Sequence, residues 1–349
     1  MTRADRGPFF EDFHRGQTII HPTPRTVGDG DAALYLALTG DRRPLPSADT
    51  VARALGLPGR PLHDLLVFHI VFGKTVGQVS QNAVANLGYA DVRFHRPVFA
   101  GDTLRAVTEV VGTRETSSGK NGIVWVRSRG LNQRDEEVLS FYRWVLVDKR
   151  GSAPTGAADS PTLPREVPAS ELRLPYPLDA FPAWAAGARA TWDDYQVGER
   201  IDHVDGMTLD EADHTAATRL YQNTARVHFN LHQMASSRFG KRLVYGGHVI
   251  SVAYALAHNG LEAAPAILAW NGGAHVNPSF AGDTIYAWSE ILAKAELPGR
   301  RDAGALRVKL SACKNVDPAR EPFAARNEKG EADPRLVLEL DCWLAAARS

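Results

Sequence analysis

The sequence contains two cysteines in 349 residues, Cys313 and Cys342. Two cysteines build no disulfide framework, and a reducing compartment fits best. No sign of charge is in excess, because 40 basic side chains face 40 acidic ones. Nucleic acid and anionic membrane surfaces are therefore poor partners, since both call for a basic excess. No apolar run reaches the roughly 18 residues of a membrane span. The first eight residues hold no apolar signal core, so a cytoplasmic location is expected. There is no glycine-rich phosphate motif. Among the 12 histidines, His228 and His232 have i,i+4 spacing but lack the glutamate of a zinc-protease helix. No metal is expected.

At about 150 residues per domain, the length suggests two units. From Arg150 to about 175 the chain is rich in Pro, Gly, Ser and Ala, without an apolar period. Such a stretch reads as a linker, dividing the chain into 1–149 and 176–349. The two parts share a repeat. Phe99-Ala100-Gly101-Asp102-Thr103 returns as Phe280-Ala281-Gly282-Asp283-Thr284, an offset of 181, and Pro97 and Pro278 keep that offset. Strand-like runs follow each copy, Leu104 to Val111 and Ile285 to Leu292. Upstream, Thr50 to Gly56 and Phe229 to Phe239 are helical in pattern. The economical reading is two tandem copies of one module.

Each half also carries one long apolar stretch, Leu65 to Val79 and Val249 to His258. Apolar all round, these predict helices buried on most sides. Leu306 to Ala312 and Leu336 to Cys342 alternate apolar and polar residues, predicting half-buried antiparallel strands. Ile123 to Arg129 and Val138 to Val147 flank the polar turn Asn132 to Glu136 and predict a hairpin. The expected architecture is α+β: an antiparallel sheet wrapped round one buried helix, twice.

The segment Leu38-Thr39-Gly40-Asp41-Arg42-Arg43-Pro44-Leu45, with Tyr35 before it, resembles the hydratase motif of MaoC-like (R)-hydratases. The second copy is Arg219 to Asn230, with Asn223 at an offset of 182 from Asp41. The resemblance covers about 11–149 and 176–349 and implies a tandem double hotdog fold. Gly73 to Val76, Asn82 to Ala90, Tyr142 to Val145 and Gln222 to His228 look like the mesaconyl-CoA hydratase subfamily. That resemblance implies reversible hydration of mesaconyl-C1-CoA to β-methylmalyl-CoA, in the ethylmalonyl-CoA pathway or a related carbon-assimilation route. It implies no cofactor beyond the coenzyme A of the substrate, and a homodimer or larger homo-oligomer. The alternatives are hydration of itaconyl-CoA or mesaconyl-C4-CoA, a hotdog thioesterase, and a non-catalytic acyl-CoA-binding protein.

The family's catalytic pair is an Asp and, five residues on, a His. Hydration of an α,β-unsaturated thioester needs a base for the water and a proton donor for the α-carbon. Neither half keeps both residues. The first has Asp41 with Pro46 in the place of His; the second has His228 with Asn223 in the place of Asp. Asn cannot take a proton, but it can orient water or hold an imidazole tautomer. Three arrangements are open. The favoured one has His228 as base with Asn223 and Asn230 positioning the water. In the second, Asp41 crosses over to pair with His228. In the third, Asp210, Glu211 or Asp213 supplies the proton. Asp41 could instead simply bond backbone amides in a turn.

Backbone N–H groups at a helix start suit the oxyanion of the thioester. By the resemblance, Tyr245-Gly246-Gly247 opens the buried helix of the second half, whereas the first half has His63-Asp64 there. The working site is therefore expected in the second half. Arg226, or Arg219, is a candidate for a substrate carboxylate, as guanidinium forks bind carboxylates bidentately. Tyr221 and Tyr245 are candidate substrate contacts. Lys241, Arg242, Arg93 and Arg96 are candidates for the phosphates of CoA.

Overall fold

The structure is a computed structural model that describes residues 4 and 6–349. The first half runs β1 (Thr18–Ile20), β2 (Arg25–Thr26), α1 (Asp29–Thr39), α2 (Asp49–Ala54) and α3 (Asp64–Thr75). It continues with β3 (Ala83–Phe94), β4 (Thr103–Glu115), β5 (Asn121–Leu131) and β6 (Glu137–Asp148). Between the halves lie β7 (Ala158–Asp159) and α4 (Ala183–Ala186). The second half runs β8 (Arg200–Thr208), α5 (Glu211–Leu220), α6 (Arg226–Phe229), α7 (Leu231–Met234) and α8 (Gly246–Leu256). It ends with β9 (Ala266–His275), β10 (Thr284–Glu296), β11 (Ala303–Lys314) and β12 (Leu336–Ala347). Among the described residues no helix is long and apolar enough to cross a membrane.

All strands join one 12-stranded antiparallel sheet, in the order β1-β4-β5-β6-β3-β9-β12-β11-β10-β8, with β2 and β7 also on β4. The halves meet in the middle, where Tyr89 pairs with Gly273, Ala90 with Gly272, Val92 with Trp270 and Arg93 with Ala269. The expected α+β double hotdog is what forms. The sheet wraps α3 and α8, and every residue of α3 from Leu65 to Thr75 is buried. Both helices were legible because an all-round apolar helix has no stable place except inside a sheet. The hairpin expected around Asn132–Glu136 is β5 and β6. Its turn is fixed by the Asn132 side-chain oxygen, which accepts from the Arg134 and Glu136 amides.

Two expectations need correction. The Phe229–Phe239 helix is interrupted at Asn230, whose side-chain oxygen accepts from the Gln233 amide and starts α7 afresh. The stretch expected to be a tether is only partly one. Residues 151–156 are exposed, but Val167 and Leu172 are buried with Tyr176, Leu178 and Phe181 on the outer face of the second half. The Val167 amide donates to Asn271, and its carbonyl accepts from the Trp343 indole. This strap makes β12 buried on both faces for much of its length rather than half-buried. A few large apolar residues sufficed, even in a Pro-rich segment, because each is worth about 1.5–3 kcal/mol when fully buried.

One glycine decides how closely the halves approach. A Cβ on Gly73 of α3 would lie 1.9 Å from the Tyr221 carbonyl oxygen. That atom is backbone and cannot swing away. Gly73→Ala should therefore lower the unfolding free energy by about 1–3 kcal/mol, as overpacking does. Gly77→Ala, in open space, should change it little. Chemical denaturation of the two variants checks this.

Candidate active site

The hydratase segment of each half ends its helix in a left-handed residue, Gly40 (φ 64°) in the first and Gln222 (φ 54°) in the second. The next residue turns back on the chain. Asp41 accepts from the Arg43 amide at 2.8 Å, and Asn223 accepts from the Ala225 amide at 3.1 Å. The same local turn is thus built twice, and the chemistry differs only in what surrounds it.

In the first half everything is tied up. Asp41 is buried and binds the Arg43 guanidinium at 2.8 Å and His63 Nε2 at 3.1 Å. His63 Nδ1 accepts from the Leu65 amide, so Nε2 carries the proton donated to Asp41. Burial would raise the Asp41 carboxyl, but Arg43 and His63 overcome it and hold it well below the usual carboxylate range. Arg43 also lies 3.6 Å over the Tyr254 ring. Asp41 is therefore an internal counterion with no contact to His228, and the crossing arrangement is not what forms. At the start of α3 stands Asp64 in place of a glycine, and its carboxyl accepts from the Ile267 amide. The remaining cavity is about 30 Å³, lined by Pro46, His63, Asp64 and Tyr254, with Arg173 to Tyr176 of the strap over it. A drug-sized ligand needs roughly 300 Å³ or more.

In the second half the arrangement is open. His228 is partly buried. Its Nδ1 lies 3.0 Å from the Leu243 carbonyl. A carbonyl only accepts, so Nδ1 carries the proton and Nε2 keeps a lone pair, with no protein partner among the described residues. Burial pushes the imidazole pKa down to about 4, and the neighbouring His214 and His275 oppose protonation further. The ring is 5.5 Å from that of Tyr245. Tyr245 precedes α8, and the hydrogen bonds of this turn begin at the amides of His248 and Val249, which reach the Tyr245 carbonyl. The Gly246 and Gly247 amides thus start the helix without a backbone acceptor. No side chain could be added there: a Cβ on Gly246 would meet the His275 ring at 2.5 Å, and one on Gly247 the Tyr245 ring at 2.4 Å.

Other expected site residues fall elsewhere. Arg226 donates to Asn82 at 2.7 Å, the Gln81 carbonyl at 3.3 Å and the Arg6 carbonyl at 3.2 Å. It clamps the halves together and has little left for a substrate carboxylate. Asn230 caps α7 and is not a water ligand. Tyr221 is fully buried behind Tyr245, its ring 4.6 Å from His69, so it supports the site without reaching a substrate. Arg219 has no contact with the site. Asp210, Glu211 and Asp213 make no contact with His228, and Glu211 pairs with Arg242. Arg93 pairs with Asp91 and Glu171, and Arg96 faces Glu136. These cations belong to the first half's surface. Lys241 remains: it is exposed, has no ion pair among the described residues, and lies 4.3 Å from the Phe280 ring.

Two residues escaped the sequence reading. His275 Nε2 lies 3.1 Å from the Tyr89 hydroxyl, and together they wall the start of α8. Gly272 and Gly273, which open the sheet junction just before His275, were the available signal.

A continuous sheet round two buried helices, with a histidine ring 5.5 Å from the tyrosine that precedes a glycine-opened helix start in one copy, has the form of a double hotdog hydro-lyase of the MaoC type. A crystal structure of a MaoC domain protein described as a dehydratase, from Chloroflexus aurantiacus, matches with a TM-score of 0.97, 52% identity and all of both chains covered. A Mycobacterium tuberculosis protein with a double hotdog fold matches with a TM-score of 0.77, 28% identity and 98% of each chain. The mesaconyl-CoA hydratase family model matches residues 1–320, and the chain belongs to that family. It is 54% identical to a β-methylmalyl-CoA dehydratase of Chloroflexus aurantiacus, over 97% of each chain. It is 52% identical to a mesaconyl-CoA hydratase of Cereibacter sphaeroides, over 99% of this chain and all of the other.

A pH prediction follows from the depressed imidazoles. His21, His203, His228, His248, His258 and His275 are all pushed down to about 4 by burial. Unfolded histidine titrates near 6.5, so the unfolded chain binds more protons between about 4 and 6.5. Stability is full above 6.5 and is lost as pH falls towards 4. The unfolding temperature should fall progressively between pH 7 and pH 4.5. In the range where the protein stays folded, kcat/KM should show no acid limb near 6.5; one there would remove His228 as the depressed base.

Proposed function

We propose that this chain reversibly hydrates mesaconyl-C1-CoA to β-methylmalyl-CoA. The observation that carries the reading is the His228 tautomer, an imidazole bonded through Nδ1 to a carbonyl, with no partner for Nε2 among the described residues, its ring 5.5 Å from the Tyr245 that precedes α8. Names and identities of the relatives support the substrate.

The chemistry needs no redox step. His228 Nε2 removes a proton from water as its oxygen bonds to the β-carbon, the carbon that bears the distal carboxylate. The alkene electron pair moves onto the thioester oxygen, and the Gly246 and Gly247 amides stabilise that charge. The imidazolium then returns its proton to the α-carbon, so H and OH are added overall. Asn223 cannot carry a proton and serves to orient the water. Dehydration is the reverse. No cofactor is required, since coenzyme A arrives with the substrate. Lys241 beside Phe280, with Arg238 over Phe239 4.5 Å away, offers a cationic, aromatic rim for its nucleotide end. The enzyme is read as a cytoplasmic homo-oligomer.

The test is incubation of purified protein with mesaconyl-C1-CoA and mass detection of an adduct 18 units heavier, the mass of one water. His228→Ala should lower kcat by 100- to 10,000-fold, the usual worth of a general base. Asp41→Asn should instead act on stability, with kcat within about threefold, because it leaves Arg43 buried without a countercharge. Turnover by His228→Ala at the native rate would defeat the assignment.

A further inference from the structure

Two buried cations are paired with carboxylates, and two others are not. Arg43 is paired with Asp41, and the Lys149 side chain is paired with Glu115. Lys74 donates to the Thr23 carbonyl and to Gln222. Arg143, on β6, is only 1% exposed and has no carboxylate partner among the described residues. Its Nη2 donates to Thr75 Oγ1 at 2.8 Å, and both terminal nitrogens lie 3.4 Å from Ser80 Oγ. Thr75 gives its own proton to the Phe72 carbonyl, so its oxygen is a pure acceptor here. Nε has no hydrogen-bond partner among the described residues. The guanidinium lies 4.4 Å over the Phe72 ring. Burial pushes its pKa down to about 10, and Tyr89 and Tyr245 oppose this. An uncompensated buried charge costs several kcal/mol. Chains keep such a group where a ligand supplies the missing charge.

The place is the right one. Phe72, under the guanidinium, has its ring 5.7 Å from Tyr245, which is 5.5 Å from His228. In the other direction, Tyr89 pairs with Arg143 across β3 and β6 and touches His275, which packs on Gly246. Arg143 is thus one aromatic ring, Phe72, from Tyr245 along one route, and two rings, Tyr89 and His275, from Gly246 along the other. The π-helical turn Val76–Ser80 that ends α3 brings Ser80 onto it, and such turns recur at functional sites. In the second copy Cys342, equally buried, stands at the corresponding place on β12. The cation exists only in the half that faces the working site.

We propose that Arg143 receives the distal carboxylate of the substrate and selects dicarboxylic acyl groups, a role that rests on the hydration reading above. In mesaconyl-C1-CoA this carboxylate is attached to the carbon that takes the water. It cannot stay in solvent while the double bond reacts inside the protein, and a buried carboxylate needs a buried cation. A guanidinium fork matches it bidentately.

The experiment compares the wild type with Arg143→Met and Arg143→Lys. Rates are measured on mesaconyl-C1-CoA and on tiglyl-CoA, in which a methyl replaces the carboxylate. Binding is measured by competition with the saturated pair methylsuccinyl-C1-CoA and 2-methylbutyryl-CoA, which cannot be hydrated. Arg143→Met should lose on the order of 100-fold in kcat/KM on the acid and in affinity for methylsuccinyl-C1-CoA, as a site loses when a buried polar contact goes. Its affinity for 2-methylbutyryl-CoA should stay within a few-fold, and its unfolding temperature should not fall. Arg143→Lys should recover part of the loss. An equal loss on both ligand series, or no loss on the acids, overturns the role of Arg143. Should the methionine variant not fold, the lysine variant decides by the same comparison, selective loss supporting the role and equal loss overturning it. A wild type that hydrates no mesaconyl-C1-CoA overturns the proposed reaction instead. If that same protein still prefers methylsuccinyl-C1-CoA through Arg143, the recognition role stands by itself.

Discussion

His69 Nε2 and Ser251 Oγ stand 2.8 Å apart where the two buried helices cross. They are 182 residues apart, so they are the same position of the repeated module, met face to face. Tyr35 of the first half donates to the same serine at 3.0 Å, and the other nitrogen of His69 lies 3.4 Å from the Tyr245 hydroxyl. Both residues are fully buried, and a polar atom left unpaired there costs about 1–3 kcal/mol. The network therefore fixes how α3 and α8 sit against each other. Through Tyr245 it also fixes where the amides of Gly246 and Gly247 point. The start of α8 in the second half is held in place by the first.

The two copies differ in what surrounds the same turn. In the first half the turn carboxylate is neutralised internally by Arg43 and His63, and Asp64 occupies the helix start. In the second half the turn holds an uncharged Asn223, and the helix start is bare backbone. Each change would be damaging alone. Asp64 at a working oxyanion site would repel the developing charge, and Gly246 in the first half would leave Ile267 without its acceptor. Specialisation of one pocket was compatible with conversion of the other into packing.

Most of the fold was legible because its signals are local. The period-two runs, the two apolar helices and the five-residue repeat each report a burial pattern that survives in one dimension. The candidates His228, Asn223, Tyr245 and Gly246 were nominated for a similar reason: they lie within one segment at fixed spacings. What was not legible depends on contacts between distant segments. Arg226 looked like an anion receptor because nothing in the sequence reveals Gln81, Asn82 and Arg6 around it. Asn230 reads as polar whether it caps a helix or holds water. His275, Tyr89 and Arg143 come from three strands and are brought together only by the β3–β9 junction and the β3–β6 pairing. The strap was misread because its Pro and Gly content dominated a composition in which Val167, Leu172 and Tyr176 carry the packing.

The strap also bears on what holds the molecule together. Its exposed stretch, residues 151–156, is the part that a protease could reach, and it lies before the buried anchors. A nick there would leave Arg173 to Tyr176 seated over the first half's closed pocket while still covalently part of the second. The sheet junction, the Arg226 clamp and the helix crossing would be untouched. The covalent bond between the halves is thus the weakest part of their union. The chain is in effect a permanent heterodimer whose two subunits happen to be encoded as one.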